Sequence, residues 1–235
     1  MWDKIKSIPG CKTVRVPGTD NEMYLLPVPD NDLLEPSFWM IGEYRVQTPF
    51  ATKLRDSETL QKFVTKHRVR FGLRETDRPP TGDRQVRFGT QKLAAKPGDF
   101  TADRVQQLAM PVKEDEASVN RRTDRELNVQ TFWATQTPQS HHIVEFNNLR
   151  DIGKSKESGS GELDHGQLPC VLLAAEFHQR YISSILKKLH GASKKDLLAR
   201  LPAEYSALYL GRGPLFSPLW SVSRFILQAA GLSVA

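Results

Sequence analysis

The chain has 235 residues, of which 39% are hydrophobic and 26% charged, and its formal net charge is +6 at pH 7. This length accommodates one large domain or two modest ones, and the balance of residues excludes wholesale disorder. The longest apolar runs, such as CVLLAA at 170–175, are far shorter than the roughly 20 residues that cross a bilayer, so we expect no membrane segment.

The N-terminal sequence MWDKIKSIPG has no apolar segment of the signal-peptide type. We therefore expect a cytoplasmic protein, or one that a dedicated machine delivers into a target cell. Cys11 and Cys170 are too few for a disulfide framework and too far apart for a zinc knuckle. A reduced compartment fits, although a single bridge between them stays open. The basic balance favours a polyanion partner, with a merely soluble basic surface as the alternative.

The first quarter of the chain mixes short apolar runs with turn signals. The segment 14–32, VRVPGTDNEMYLLPVPDND, predicts two short strands around Pro-Gly and Asp-Asn turns. Aromatic and β-branched residues predict another strand over 37–46, SFWMIGEYRV. A short helix follows, with Asp56 or Ser57 as its N-cap and its end near His67.

The middle of the chain is rich in Arg, Pro, Gly and Asp and has little apolar periodicity. We expect a long irregular arm or connection there, with a charged helical stretch at its end. Basic residues interleaved with phenylalanines over 65–92 suit a nucleic-acid track, in which Arg70 and Arg87 are candidate contacts. The alternative is an exposed arm that packs onto the rest of the protein or onto a partner.

The last part of the chain has clearer patterns. Alternation predicts a strand over 127–136, and SHHIVEF at 140–146 predicts a second strand or strand end. The segment 153–162, GKSKESGSGE, is typical of a flexible loop, and 167–173, QLPCVLL, of a short buried segment.

Three helices complete the chain. Apolar residues at helical spacing predict the first over 174–191, with Gly191 at its C-terminal end. Ser193 is the expected N-cap of the second helix, and the third is predicted over about 218–230. We accordingly divide the chain into a partly β N-terminal module (1–75), a basic and charged connecting region (76–125) and a C-terminal domain (126–235).

His141 and His142 are adjacent, in a chain with only six histidines. Adjacent side chains on a strand point to opposite faces, but where a strand bends into a loop they can serve neighbouring tasks, one binding a metal and the other taking a proton from water. A satisfied polar pair at a strand end is the plainer interpretation. Further candidates follow downstream, since His165 and Gln167 come after the loop and His178 lies early in the predicted helix.

This order of residues resembles the HNH/endonuclease VII superfamily. The resemblance rests on three features: SHH at a strand end, an amide residue followed by Leu, and a His early in a helix. The pattern is most similar to the bacterial polymorphic-toxin nuclease domains whose motif is a small residue plus His-His. It covers roughly residues 130–190 and no part of 1–125. The resemblance implies an α+β fold, with a C-terminal ββα-metal nuclease core, added helices, and the partly β module in front.

The family's site can be carried over residue by residue. His141 resembles the first metal ligand, and His142 the general base that activates water. Gln167 stands where the family has the middle asparagine that steadies the loop and orients the base. His178 resembles the second metal ligand. The implied cofactor is one divalent cation, with Mg²⁺ first and Mn²⁺, Ni²⁺ or Zn²⁺ as alternatives.

The sequence departs from the family pattern in ways that leave roles open. Besides Gln in place of Asn, the loop between the hairpin strands is long. Three nearby residues are candidates for additional metal ligands or for carboxylates that support the ligands: His165, Glu145 and Glu176. Three basic residues nearby are candidate nucleic-acid contacts: Lys154, Lys156 and Arg180.

The resemblance therefore implies a metal-dependent endonuclease that acts on nucleic acid, with DNA ahead of RNA, as the toxic effector of a bacterial competition system. A cognate immunity protein is the partner that the resemblance implies. The alternative is a non-enzymatic nucleic-acid-binding or ribonucleoprotein component with structural histidines. A zinc-stabilised interaction domain that uses His141, His165 and His178 is a third interpretation.

Overall fold

The structure, a computed structural model, describes residues 1–29, 37–72, 137–211 and 214–234. Several predictions lie outside the described residues: the strand over 127–136, the connecting region 76–125, and Arg87. The side chains of Glu176 and Arg180 also lie outside them.

One five-stranded sheet organises the fold, and all of its neighbouring strands are antiparallel. The strands are β1 (Lys12–Arg15), β2 (Glu22–Pro27), β3 (Phe38–Glu43), β4 (Pro138–His142) and β5 (Pro169–Ala174), in the spatial order β1-β2-β3-β5-β4. Together with the helices this confirms the predicted α+β class. Because β3 pairs with β5, residues 1–75 and 126–235, which we predicted as two units, contribute strands to the same sheet.

Helices cover both faces of this sheet. They are α1 (Trp2–Lys6), α2 (Tyr44–Leu54), α3 (Glu58–Lys66), α4 (Phe146–Asp151), α6 (Lys194–Tyr209) and α7 (Ser217–Ala229). Between α4 and α6, helix α5 follows β5 directly and is composed of α-helical Ala175–Phe177, π-helical His178–Ser183, α-helical Ser184–Leu186 and 3₁₀-helical Lys187–Leu189. Single 3₁₀ turns span His165–Gln167 and Pro214–Phe216.

The register shows which residues share a face of the sheet. Ile41, Val171 and His141 are aligned across β3, β5 and β4, so their side chains point to one face. Trp39, two residues before Ile41, shares that face, stacks on Phe216 and donates a hydrogen bond from its indole N–H to the carbonyl of Leu215 at 2.9 Å. This face is therefore covered by α5 and by the turn that leads into α7.

Helix α2 covers the opposite face. Its buried residues, Gln47, Phe50, Ala51 and Leu54, have helical spacing. The Gln47 amide donates to the carbonyl of Met40 at 3.0 Å, so this buried polar side chain is satisfied by the backbone of the sheet. Every residue of β5 is buried, as expected for a strand covered on both faces.

Most of the predicted elements are present. The two short strands around Pro-Gly are β1 and β2, and α7 matches the predicted last helix. Ser57 caps α3 by accepting a hydrogen bond from the backbone N–H of Leu60, and Ser193 caps α6 by accepting one from Asp196 N–H. The segment 167–173 is buried as predicted, largely as β5.

The strand predicted over 37–46 was wrong at its end. It stops at Glu43, and α2 begins at Tyr44. Pro49 lies inside α2. Because proline is rare in helix interiors, its presence argued against a helix in the sequence. The strand predicted over 140–146 likewise ends at His142, and α4 begins at Phe146.

No helix within the described ranges has the length and apolarity needed to span a membrane.

Candidate functional site

Strand β4 divides its histidines between the two faces of the sheet. Gln139 and His141 point toward α5, and Ser140 and His142 point toward α2, because successive side chains of a strand alternate. Two clusters result, one on each side of a single strand. We name the first the polar face and the second the aromatic face.

On the polar face, strand and helix histidines meet directly. The Nδ1 of His141 lies 2.9 Å from the Nε2 of His178, near the start of α5. The other ring nitrogen of His178, Nδ1, lies 3.0 Å from the Oε1 of Gln139, and the hydroxyl of Ser183 lies 3.0 Å from its Nε2. The structure therefore brings together the two predicted metal ligands, as the sequence indicated.

The contacts of His178 fix its tautomer. An amide oxygen only accepts hydrogen bonds, so the Nδ1–H of His178 donates to Gln139 and the Nε2 carries the lone pair. Burial lowers the pKa of His178 to about 4. Burial, reinforced by the neighbouring histidines, lowers the pKa of His141 well below its usual value. Both imidazoles are consequently neutral at pH 7 and present lone pairs in the buried part of the site.

On the aromatic face, His142 is held by one stack and one hydrogen bond. Its ring stacks on Tyr44, with centroids 4.4 Å apart and planes 16° from parallel. Its Nε2 lies 3.3 Å from the carbonyl oxygen of His165. Because a carbonyl only accepts, Nε2 carries the proton and Nδ1 keeps the lone pair. Burial is the main reason why the pKa of His142 is lowered to about 4.

His165 belongs to this aromatic face. Its ring centroid is 4.3 Å from that of Tyr44, 4.7 Å from Phe146 and 5.0 Å from His142. It is therefore separated from the pair formed by His141 and His178. A zinc site made of His141, His165 and His178 is not assembled in this arrangement.

Two tyrosines of α6 fix the turn that follows β4. The hydroxyl of Tyr209 donates to the carbonyl of Ile143 at 2.7 Å. The hydroxyl of Tyr205 accepts hydrogen bonds from the backbone N–H of Glu145 at 2.8 Å and from the amide of Asn148 at 3.0 Å. Sequence reasoning missed both tyrosines; their spacing of four residues on a helix was the available signal.

The loop that precedes His165 is held by hydrogen bonds to a buried carboxylate. The buried carboxylate of Asp164 accepts hydrogen bonds from the backbone N–H of Gly161 at 2.8 Å and of Lys156 at 3.2 Å. The Ser155 hydroxyl also donates to the carbonyl of Leu163. The sequence analysis predicted a flexible loop here and did not identify Asp164, whose carboxylate binds backbone donors of the loop.

Gln167 does not make the contact that we predicted for it. It lies half-buried in the 3₁₀ turn His165–Gln167, and its side chain has no hydrogen bond within the described ranges. The group that orients His142 is instead the backbone carbonyl of His165. The amide side chain that supports the site is Gln139, on the polar face.

Glu145 also lies apart from the paired histidines. Its carboxylate is 3.6 Å from the Nε2 of His190, and burial raises its pKa against the opposing effect of that histidine. It therefore serves as the partner of His190 and not as a ligand beside His141.

Of the predicted nucleic-acid contacts that the structure describes, one is buried and two are exposed. Arg70 is 0% exposed, and its Nε donates to the hydroxyl of Ser37 at 3.1 Å, so its prediction as a phosphate contact was wrong. A buried guanidinium is a core group with internal partners and cannot reach a ligand in solvent. Lys154 and Lys156 are exposed on the loop after α4 and stay candidate contacts.

The polar face fits a cation with two imidazole ligands. Two nitrogens bound to one ion at 2.0–2.1 Å lie about 2.9–3.4 Å apart, close to the observed 2.9 Å. The other ring nitrogen of His141, Nε2, is buried without a hydrogen-bond partner in the described part of the chain. Within the described ranges, no group of three or more His, Cys, Asp and Glu residues is placed to hold a metal.

Comparison of the chain with protein-family models, with curated proteins and with solved structures found no match.

Proposed function

We propose that the protein is a metal-dependent endonuclease that hydrolyses phosphodiester bonds of nucleic acid. The observation that carries the proposal is the placement of His141 and His178 within 2.9 Å, by an antiparallel strand pair and the helix that follows it. The chain runs β4, α4, β5 and α5, which is the strand, strand, helix order of a ββα-metal core with α4 inserted between the strands, and His141 and His178 lie on β4 and α5. The same order supports the resemblance to the HNH/endonuclease VII superfamily.

His142 is suited to act as the general base. The His165 carbonyl holds its Nε2–H, which leaves the Nδ1 lone pair to accept a proton from water. Burial lowers its pKa to about 4, so the ring is unprotonated at pH 7, and it is a weaker base than an exposed imidazole.

The position of His142 in the strand makes the division of labour feasible. It is the last residue of β4, and the backbone leaves the sheet at Ile143. The proposal requires that a substrate reach groups on both faces at this strand end. A divalent cation held by His141 and His178 would supply positive charge to the phosphate and to the leaving oxygen.

The exposed lysines, Lys154 and Lys156, supply basic charge on the loop that leads to His165. They support a polyanionic substrate, and we propose DNA ahead of RNA. The role of a toxic effector in bacterial competition, with an immunity protein that covers the site, is the part of the proposal that rests on the resemblance alone. Mg²⁺ is the proposed cation, with Mn²⁺, Ni²⁺ and Zn²⁺ as alternatives.

Plasmid cleavage by the purified chain tests the proposal. We expect nicking with Mg²⁺ or Mn²⁺, none with EDTA, and a loss of about 10²–10⁴-fold in His142→Ala. His67→Ala is the matched control, because the His67 ring packs on Phe63 in α3, away from both faces of β4. Cleavage that persists in EDTA, or that His142→Ala leaves unchanged, would contradict the proposal.

The alternative is a non-enzymatic nucleic-acid-binding protein with structural histidines. The observation that favours it is the direct contact of His141 with His178, since a buried hydrogen bond between imidazoles also joins strand to helix. In that case the plasmid stays intact with every cation. Binding to DNA then weakens with salt, and neither EDTA nor His142→Ala changes it.

A further inference from the structure

Helix α5 changes its winding at His178. The stretch His178–Ser183 is π-helical, with α-helical residues on either side. Such single π turns within α-helices are uncommon and occur often at functional sites. The residues that the turn repositions are therefore candidates for a functional role.

The π turn brings Ser183 next to His178. In a regular α-helix, at 3.6 residues per turn, a residue five positions along is rotated by about 140° from the first. In the π turn, backbone hydrogen bonds run from i to i+5, and the Ser183 hydroxyl lies 3.0 Å from the Nε2 of His178. Ile182, which would occupy the adjacent position in an α-helix, is instead buried in the core with 1% exposure.

Two groups then compete for one lone pair. The Nδ1–H of His178 is committed to Gln139, so the neutral ring offers a single lone pair at Nε2. Both the Nδ1 of His141, at 2.9 Å, and the Oγ of Ser183, at 3.0 Å, lie within hydrogen-bond distance of that atom. One in-plane lone pair cannot satisfy both donors well. The Ser183 hydroxyl thus adds an oxygen beside the Nε2 of His178, the same atom that the Nδ1 of His141 approaches.

We infer that Ser183 is a third ligand in the cation site of His141 and His178, carried there by the π turn. The inference rests on the proposed function for the presence of a cation, and adds a ligand that the sequence analysis did not identify. A hydroxyl oxygen is a hard donor, so the site accommodates Mg²⁺ or Mn²⁺ better than two imidazoles alone would.

Cation binding by the full chain tests the inference without reference to cleavage. We expect Ser183→Ala to weaken Mn²⁺ binding, measured by calorimetry or by electron paramagnetic resonance, by about tenfold. Ser184→Ala is the matched control, since Ser184 is exposed and lies one position further along α5. Unchanged Mn²⁺ affinity in Ser183→Ala would overturn the inference.

Ser183→Cys gives a second, spectroscopic readout. A thiolate at this position should raise the affinity for Zn²⁺ relative to Mn²⁺, because soft donors favour Zn²⁺. With Co²⁺ it should give a thiolate-to-metal charge-transfer band that wild type lacks. A folded Ser183→Cys protein that binds Co²⁺ without this band would overturn the inference, even if Ser183→Ala fails to fold.

The outcomes separate the inference from the proposed function. If wild type cleaves DNA and Ser183→Ala binds Mn²⁺ as wild type does, Ser183 is not a ligand, but the proposed nuclease function is retained. A charge-transfer band in Ser183→Cys, with no cleavage of DNA or RNA by wild type, supports the third ligand and overturns the nuclease. Wild type that binds neither Mn²⁺ nor Co²⁺ overturns both the inference and the cation requirement.

Discussion

The two faces of β4 carry different chemistry on consecutive residues. On the polar face, His141 meets a histidine, an amide and a hydroxyl through His178. On the aromatic face, His142 meets the ring of Tyr44 and a backbone carbonyl. The polar face places the lone pairs of several side chains close together. On the aromatic face, ring stacking and one hydrogen bond hold the imidazole of His142 in a single orientation and tautomer. In the proposed function, the alternation of side chains along this strand would separate cation binding from proton transfer.

The two faces also draw on different parts of the chain. His141 contacts His178 of α5, and the other partners of His178, Gln139 and Ser183, also lie in the C-terminal part. His142 contacts His165 in the C-terminal part and stacks on Tyr44, the first residue of α2, in the N-terminal part. The aromatic face therefore depends on the pairing of β3 with β5, which brings α2 against β4. An isolated segment over 126–235 would lack this support.

Acid should destabilise both faces. His142 and His178 have a pKa of about 4 in the folded protein, below the ordinary 6.5. The unfolded chain then binds more protons than the folded one below pH 6.5, so the free energy of unfolding falls as pH drops from 6.5 to 4. Each ring contributes on the order of 3 kcal/mol across that window.

Denaturant unfolding in EDTA at several pH values measures this effect. His142→Phe keeps a ring on Tyr44 but cannot be protonated, so the pH dependence should become shallower. His67→Phe is the control and should change it less, because the ring of His67 is more exposed and its pKa is lowered less. Equal slopes in wild type and His142→Phe would contradict the burial that we describe.

Gln139→Leu is expected to weaken the polar face alone. Without the amide oxygen, the Nδ1–H of His178 loses its acceptor and the ring is free to change tautomer. Loss of such a supporting group lowers metal affinity by about 10–100-fold. Mn²⁺ titration checks this, with Gln179→Leu as the control, since Gln179 is exposed on the same helix. The stack of His142 on Tyr44 should persist.

Tyr44→Ala is expected to weaken the aromatic face alone. Removal of the stacked ring lets His142 leave its position, which should lower kcat by about tenfold, since misplaced catalytic groups lose rate steeply. Tyr44→Phe keeps the stack and should restore the rate. Mn²⁺ affinity should match wild type in both variants. A fall in cation affinity with Tyr44→Ala would show that the two faces are not independent.

The smallest effect concerns the exposed lysines of the loop after α4. Replacing Lys154 and Lys156 by Gln should weaken DNA binding a few-fold and reduce the slope of binding against salt by about 2, because each lysine neutralises one phosphate. Lys53→Gln with Lys62→Gln is the matched control, with the same charge change on α2 and α3. An unchanged salt slope would remove this loop from the substrate path.

Much of the fold was predictable from local signals. Ser193 was identified as an N-cap, and Ser57 as one of two candidates with Asp56, because a side-chain oxygen before an apolar helical pattern has a specific backbone partner. Helix α2 was missed because Pro49 interrupts a sequence whose buried positions otherwise have helical spacing. The π turn in α5 was also not predictable, since π and α turns share the same apolar pattern.

The contact between His141 and His178 was predictable, but the residues that orient the histidines were not. The convergence of His141 and His178 follows from the order of strand, strand and helix, which the motif specified. The roles assigned to Gln167 and Arg70 did not follow, because both depended on which way a side chain points. Gln139 and Tyr44 were missed because their contacts join residues far apart in sequence, for which a single sequence contains no signal.

The most direct test of the division of labour across β4 compares His178→Ala with His142→Ala in two assays, Mn²⁺ binding and plasmid cleavage. The two faces of the strand predict that both variants lose cleavage by at least about 10²-fold. They also predict that His178→Ala alone loses the cation, while His142→Ala binds Mn²⁺ as wild type does. If both variants bind Mn²⁺ equally well, or if either one cleaves at the wild-type rate, this division of labour is contradicted.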